Sequence, residues 1–477
     1  MGQEITQTRF TEGDYLAFYQ SLQQETALLE RLIAQQSLST RNPVAGFEIE
    51  AWLVDRAMQP APVNSHFLTT LNEPLAFPEL AKFNIELNST PLALTGNVFA
   101  QMHSQLDKLW QKAGAHAESL DTHLLMIGIL PTLQQSDLHL GNMSDMHRYQ
   151  ALNEQILLAR GQPIHINIVG EEHLNCFHED VMLEAATTSF QLHIQVPLAL
   201  AHHFYNASIM ASAPMVALAS NSPFLFGKTL WHETRIPLFE QAIETGGYRA
   251  ASHGPLRRVS FGSGYAQHSI AECFQENLQH FPVLLPVRQD TPVEAFAHLR
   301  LHNGTIWRWN RPLIGFDQDG TPHIRIEHRT PAAGPSVVDA MANAAFYYGL
   351  AQDLCLEIVE HGLLIPFSQA KDNFYQAARF GLDGCITWQD GAKQHLDRLL
   401  QTELLPRARR GLQSLGIAES DSKALLDVIA GRIDKKQTGS HWQRHLIQQR
   451  QCDFAEMTRL YLQQQKTGNP VDQWTLM

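Results

Sequence analysis

Carboxylates recur along this sequence at a spacing of two. Glu48 and Glu50 stand in Gly46-Phe47-Glu48-Ile49-Glu50-Ala51, and Glu327 precedes Arg329 by the same step in Ile326-Glu327-His328-Arg329. In an extended strand alternate residues share a face, so Glu48 and Glu50 project together about 7 Å apart. Phe47, Ile49 and Ala51 point the other way. Glu86 sits likewise between Ile85 and Leu87, and His193 and Gln195 between Leu192, Ile194 and Val196. One charged face on one strand is ordinarily the solvated side of a half-buried sheet. Four strands sharing the pattern describe something more specific: a sheet with one apolar side and one side of carboxylate, imidazole, amide and guanidinium.

Clustered carboxylates with a His or Gln form the hard, oxygen-rich setting that Mg or Mn prefers. Arginines beside them bind phosphate oxygens bidentately. Together they suit nucleotide phosphoryl transfer. No Gly-x-x-x-x-Gly-Lys-Ser/Thr run occurs, which excludes a P-loop. The lone Phe261-Gly262-Ser263-Gly264-Tyr265 loop reads as a turn, and no Gly-x-Ser-x-Gly elbow supports a hydrolase.

These residues need elements to hold them. Apolar spacing predicts a helix from about Gly13 to Gln36, then the period shortens to two over Val44–Val54, between Pro43 and Asp55. A strand at Phe83–Leu87, a helix from Asn97 to Ala117 and an apolar segment at Leu124–Leu130 follow. Phe190–Val196 alternates again and is closed by Pro197, with helical material to Ala219. Thr305–Trp309 and His323–His328 are strand candidates on either side of the Asp317-Gln318-Asp319-Gly320 turn. Beyond Pro335 the pattern turns helical, with expected helices at Val337–His361, Gln389–Leu415, Ser420–Arg432 and Trp442–Gln465. The change predicts a catalytic body over residues 1–367 and a helical C-terminal subdomain over 368–477.

The 477 residues exceed the length at which one core usually stops growing, which is consistent with a body plus an appendage. A formal charge of −13 without basic clusters argues against a nucleic-acid partner, and makes bridging cations necessary for any phosphate ligand. Five scattered cysteines without Cys-x-x-Cys spacing point to a reducing cytoplasm. The N-terminus lacks the basic and apolar regions of a signal peptide. Gly2 and Thr6 satisfy an acylation pattern that is short and common by chance. The apolar stretch from Ala207 to Gly227 is broken by Pro214 and Pro223 and reads as a buried helix running into a loop rather than a membrane span. Homo-oligomeric assembly is left open.

Five segments in this order resemble the type-2 glutamate–cysteine ligase family, which includes bacterial carboxylate–amine ligases and is distantly similar to glutamine synthetase. They are Gly46–Glu50, Glu86-Leu87-Asn88, Gln191–Gln195, Ala219-Ser220-Asn221-Ser222-Pro223-Phe224, and Ile306–Pro312 followed by Ile326–Arg329. The resemblance implies an α+β fold, a glutamine synthetase-like antiparallel half-barrel sheet flanked by helices. It also implies ATP with Mg or Mn, small-molecule amino-acid substrates, and ligation of a carboxylate to an amine through an acyl phosphate, with γ-glutamyl transfer the leading case. Carried over, Glu48, Glu50, Glu86 and Glu327 are metal ligands. Arg329 contacts the transferring phosphate, and Arg311 the phosphate or the substrate carboxylate. His193, Gln195 and Arg308 fall to the nucleotide, and Asn221 and Arg235 to the substrate, with a helix-surface ion pair the plainer reading of Arg235. Many relatives carry His-x-His where this chain has Gln191, His193 and Gln195. The residues also leave open a ligase of another acid or amine, a guanidino kinase-like phosphotransferase, and a regulatory nucleotide-binding module.

Overall fold

The computed structural model describes residues 4–5, 7–245, 256–362 and 364–476. Gly2 and Thr6 lie outside them. The alternation at Val44–Val54 does form a strand, β1, and it is the centre of the main sheet. In chain order follow β2 (Ala76–Pro78), β3 (Asn84–Asn88), β4 (Leu92–Ala93), β5 (His123–Leu125), β6 (Phe190–Gln195), β7 (Asn310–Phe316) and β8 (Pro322–His328). The strand order is β7-β8-β6-β1-β3-β2, with β4 and β5 also pairing with β1, and all pairs are antiparallel. The chain is therefore an α+β protein built on an antiparallel sheet, as the resemblance implied.

The apolar face of β1 holds the sheet to the core. Phe47, Ile49 and Ala51 are buried, Phe47 packs on Phe190 of β6 at 5.5 Å between ring centroids, and Trp52 stacks on Phe83 at 5.4 Å. Two helices, α1 (Ala201–Leu218) and α2 (Val337–His361), are apolar on nearly every side and lie buried. The Tyr348 hydroxyl of α2 donates to the carbonyls of Gly46 and His193, each at 3.0 Å, and so ties this helix to both central strands. Against α2 packs α3 (Leu405–Ser414). Their axes approach so closely that a Cβ on Gly349 would meet the Ala408 carbonyl at 2.2 Å, and one on Gly411 the Gly349 carbonyl at 1.8 Å. Only glycines permit that crossing.

Four elements differ from expectation. The strand that pairs with β8 is Asn310–Phe316, while Trp307–Arg308 pairs in parallel with Val259–Ser260. Pro312 and Gly315 hid this strand from a propensity reading. Pro312 is tolerated because β7 is an edge strand with no second ladder to supply. The expected helix Trp442–Gln465 is two, α5 (Gly439–Arg450) and α6 (Phe454–Lys466), with α4 (Glu419–Lys435) before them. Gln451 in a left-handed conformation ends the first, and the Asp453 side chain caps the second by accepting from the Glu456 amide at 2.7 Å. The start of Gln389–Leu415 is a hairpin strand, Lys393–His395, paired with Cys385–Thr387. An unexpected helix at Phe367–Phe380 spans the anticipated boundary and packs Phe374 on Phe261 and Trp309. Among the described residues no helix is long and apolar enough to cross a membrane.

The C-terminal helices are fastened by a fully buried ion pair. Arg432 of α4 donates to Asp339 of α2 at 2.8 Å, and both side chains are 0% exposed. Removing one partner strands the other charge in the core. Arg432→Met is expected to destabilise the protein by about 3–5 kcal/mol, read as a lower denaturant midpoint.

Candidate active site

The register of the sheet brings the polar positions into two rows. Glu50 of β1 lies opposite Glu86 of β3, and Glu48 lies between Asn88 and Gln191. One step along, Gly46 faces His193, His193 faces Glu327, and Glu327 faces Arg311. The common face read from alternation is therefore real, and antiparallel pairing turns it into a continuous surface.

Around Glu327 the bonding is dense. Arg311 grips its carboxylate with Nε at 2.8 Å and Nη2 at 3.0 Å, the two-pronged geometry peculiar to guanidinium. Arg329 donates to the same carboxylate at 3.2 Å and also to the Gln191 side chain. Burial alone would raise the Glu327 pKa, but Arg311 and Arg329 prevail and hold it at about 2. His193 Nε2 lies 3.4 Å from Glu48 and 3.9 Å from Glu327. Burial opposes ionisation of Glu48 as well, yet the neighbouring His193 and Arg325 keep its pKa well below the carboxylate range. Both ring nitrogens of His193 are buried without a hydrogen-bond partner. A buried imidazole between two ionised carboxylates is a fitting ligand set for a divalent cation. One ligand atom from each of the three residues falls within 4.8 Å of the others.

The second group is more crowded and less neutralised. Glu50 accepts from the Ser189 amide at 2.6 Å, the Ser189 hydroxyl at 3.0 Å and Gln191 at 2.9 Å. Even so, burial and the charge of Glu86 lift its pKa to about 7. Glu86, held by Asn88 at 3.0 Å, is pushed well above the usual range by burial and by Glu48 and Glu79. Glu79 follows β2 directly; burial and Glu50 raise it to about 7. Glu184, in the turn Val181–Ala186, is raised to about 8 by burial and Glu50. Arg148 lies near this group and lowers both Glu79 and Glu184. Four carboxylates that resist ionising together are an arrangement that divalent cations relieve.

Sequence reading missed Glu79, Glu184 and Arg148, and also Arg325, which shares the face of Glu327 and pairs with Gln195. Glu79 and Glu184 stand outside regular strands, so no alternation marked them. The seven-residue gap from Glu79 to Glu86, spanning the β2–β3 hairpin, was the available signal.

Other expected residues sit differently. Gln195 lies at the far end of the row, donating to Asp317 at 3.1 Å and Ser39 at 3.3 Å. Arg308 is turned away from the row, because the chain changes sheets between 308 and 310. It bonds Asn277 at 2.6 Å and Glu276 at 3.0 Å. Asn221 is 0% exposed and fully engaged. Its amide nitrogen donates to the Ala333 carbonyl and Tyr461, and its oxygen accepts from Gln443, which leaves nothing for a substrate. Arg235 is buried rather than on a helix surface. It pairs with Glu233 at 3.0 Å and donates to the carbonyls of Arg329 and Thr330, so it braces the backbone that carries Arg329.

An antiparallel sheet with this metal- and phosphate-matched face is that of an ATP-dependent carboxylate–amine ligase. The chain belongs to glutamate–cysteine ligase family 2 (GCS2), whose family model matches residues 44–469. Among solved structures, a glutamate–cysteine ligase from Francisella tularensis in complex with AMP is similar in fold. It is 12% identical, with 92% of this chain and 91% of that one covered and a TM-score of 0.52. A bifunctional glutathione synthetase from Pasteurella multocida is 10% identical, with 92% of this chain and 54% of that one covered and a TM-score of 0.46. No curated protein sequence matches this chain.

The raised carboxylates make stability depend on pH. Their folded-state values exceed the unfolded ones, so the folded protein binds protons more tightly, and stability falls as pH rises from about 4.5 through about 7–8. Mg is expected to raise Tm by about 5 °C or more at pH 8 and by less than half as much at pH 5.5, measured by thermal unfolding with and without the ion.

Proposed function

We propose that the chain phosphorylates the side-chain carboxylate of an amino acid, glutamate in the leading case, and passes the acyl group to cysteine or another amine. The observation that carries this reading is the row Glu86–Glu50–Glu48–His193–Glu327 with Arg329 and Arg311 at its end. In the first step a carboxylate oxygen attacks the γ-phosphorus of ATP, the bond to the bridging oxygen breaks, and ADP leaves. In the second the amine nitrogen attacks the acyl carbon, the carbon–oxygen bond breaks, phosphate leaves, and the amine gives up a proton. A carboxylate alone resists the amine because oxide is a poor leaving group; phosphorylation removes that obstacle.

Glu48, Glu50, Glu79, Glu86 and Glu327, with His193, would hold Mg or Mn. Such ions, when bound, neutralise the phosphate oxygens. Arg329 keeps a permanent positive charge at the end of the row, aimed by Glu327 and Gln191, and there it would meet the transferring phosphoryl group. Arg311 fixes Glu327. No nucleophilic Ser or Cys is needed, and all five cysteines are free thiols, in keeping with a reducing cytoplasm. The helical segment 368–477 would support the site through Asn221 and the Trp231–Arg235 loop.

A coupled assay tests the reaction class. ADP and free phosphate are expected only when both acid and amine are present. ADP release with a single acceptor and no free phosphate would identify a phosphotransferase instead. Glu50→Gln is expected to lower ATP turnover at least about 100-fold while the protein stays folded, and wild-type turnover in that variant would remove the metal assignment. Arg329→Ala is expected to lower kcat by about 100-fold or more with a much smaller change in ATP affinity, measured by steady-state kinetics and equilibrium nucleotide binding.

A further inference from the structure

Away from the carboxylate row, a second group of ligand-type side chains meets where three segments of the chain converge. His232 comes from the loop Trp231–Thr234, Asp383 from the turn Gly381–Asp383, and His441 from the first turn of α5. We propose that His232, Asp383 and His441 form a second metal site, for one transition-metal ion of the zinc class, that pins the C-terminal helices to the loop carrying Arg235.

The geometry and the donor set carry the proposal. One ligand atom from each residue lies within 4.8 Å of the other two. A tetrahedral ion with bonds of about 2.0–2.1 Å sets neighbouring ligand atoms roughly 3.3 Å apart, and His441 Nε2 is 3.2 Å from Asp383 Oδ2. The two imidazole rings lie 4.6 Å apart between centroids. Two imidazoles and one carboxylate prefer Zn, Co or Ni to Mg, which separates this group from the oxygen-rich row.

The surroundings resemble an outer shell. Thr438 Oγ1 lies 2.9 Å from His441 Nδ1, and Ser440 Oγ lies 3.2 Å from His232 Nδ1, so each ring is oriented through one nitrogen. Lys436 holds the other Asp383 oxygen, Oδ1, at 3.0 Å and Asp397 at 2.9 Å, leaving Oδ2 toward the histidines.

The ion would act on the catalytic face through the backbone. His232 adjoins Glu233, whose amide donates to the Ala378 carbonyl at 2.8 Å and whose carboxylate accepts from the Asn221 amide at 2.8 Å. Arg235, two residues on, braces Arg329 and Thr330. Fixing His232 to Asp383 and His441 therefore fixes the loop that supports Arg329.

The test is a Co(II) titration of the full chain by visible absorption, with millimolar Mg present to occupy the carboxylate row. One equivalent of Co(II) with the intense bands of a four-coordinate ion is expected, displaced by Zn(II). Binding should weaken about 100-fold or more in His441→Ala and Asp383→Asn and persist in His193→Asn. Zn(II) should raise the wild-type Tm by about 2–5 °C and leave that of Asp383→Asn unchanged. Circular dichroism confirms that each variant folds, and Asp383→Asn, which keeps side-chain shape, decides the matter if His441→Ala does not. Absence of the four-coordinate bands, undiminished bands in folded Asp383→Asn, or their loss in His193→Asn would overturn the proposal.

Discussion

The structure depends on the mutual repulsion of buried and half-buried carboxylates. Glu48, Glu50, Glu79, Glu86, Glu184 and Glu327 are gathered at one face of a sheet, where burial strengthens every charge–charge term. Two of them are kept ionised by cationic neighbours. The other four hold protons far above the ordinary carboxylate range. Such an arrangement is poor for folding and suited to cations, and it persists because the sheet beneath leaves the side chains little freedom to move apart. Rigid placement of mutually repelling charges shifts their pKa values away from the ordinary carboxylate range, a mark of functional sites.

The remainder of the fold supplies that rigidity. Tyr348 ties helix α2 to the backbone of Gly46 on β1 and of His193 on β6, beside Glu48 and within the row itself. Arg235 grips the backbone at Arg329 and Thr330, and its partner Glu233 accepts from the Asn221 amide. Asn221 in turn is bonded by Tyr461 and Gln443 of the last two long helices. The C-terminal helices thus reach the catalytic face through three buried side chains. The Arg432–Asp339 pair fixes the same helices from beneath.

Local pattern made the strand residues legible. Glu48, Glu50, Glu86 and His193 each stood between apolar neighbours in a run of alternating polarity, and Glu327 stood two residues before Arg329; the pleat imposes that alternation whatever the rest of the chain does. Register is not local. Nothing in the sequence of β1 says that Glu50 meets Glu86 or that Gly46 meets His193. Glu79 and Glu184 were invisible for a related reason, since a loop or turn residue has no period. Arg308 and Arg311 belong to one segment of the resemblance, yet the chain crosses to another sheet between them. Asn221 was assigned to the substrate through the resemblance of the Ala219–Phe224 segment, and local sequence says nothing of its partners. Its partner Gln443 lies 222 residues away, beyond any pattern in the neighbouring residues.

An oxygen-isotope experiment tests carboxylate activation by phosphoryl transfer at this face directly. When the acid is supplied with ¹⁸O in its reacting carboxylate and turnover is run with ATP and the amine, the phosphate released should carry one ¹⁸O from the acid for each amide formed. Unlabelled phosphate accompanying amide formation would contradict an acyl phosphate, and with it the role assigned to the row that Glu48, Glu50 and Glu327 define.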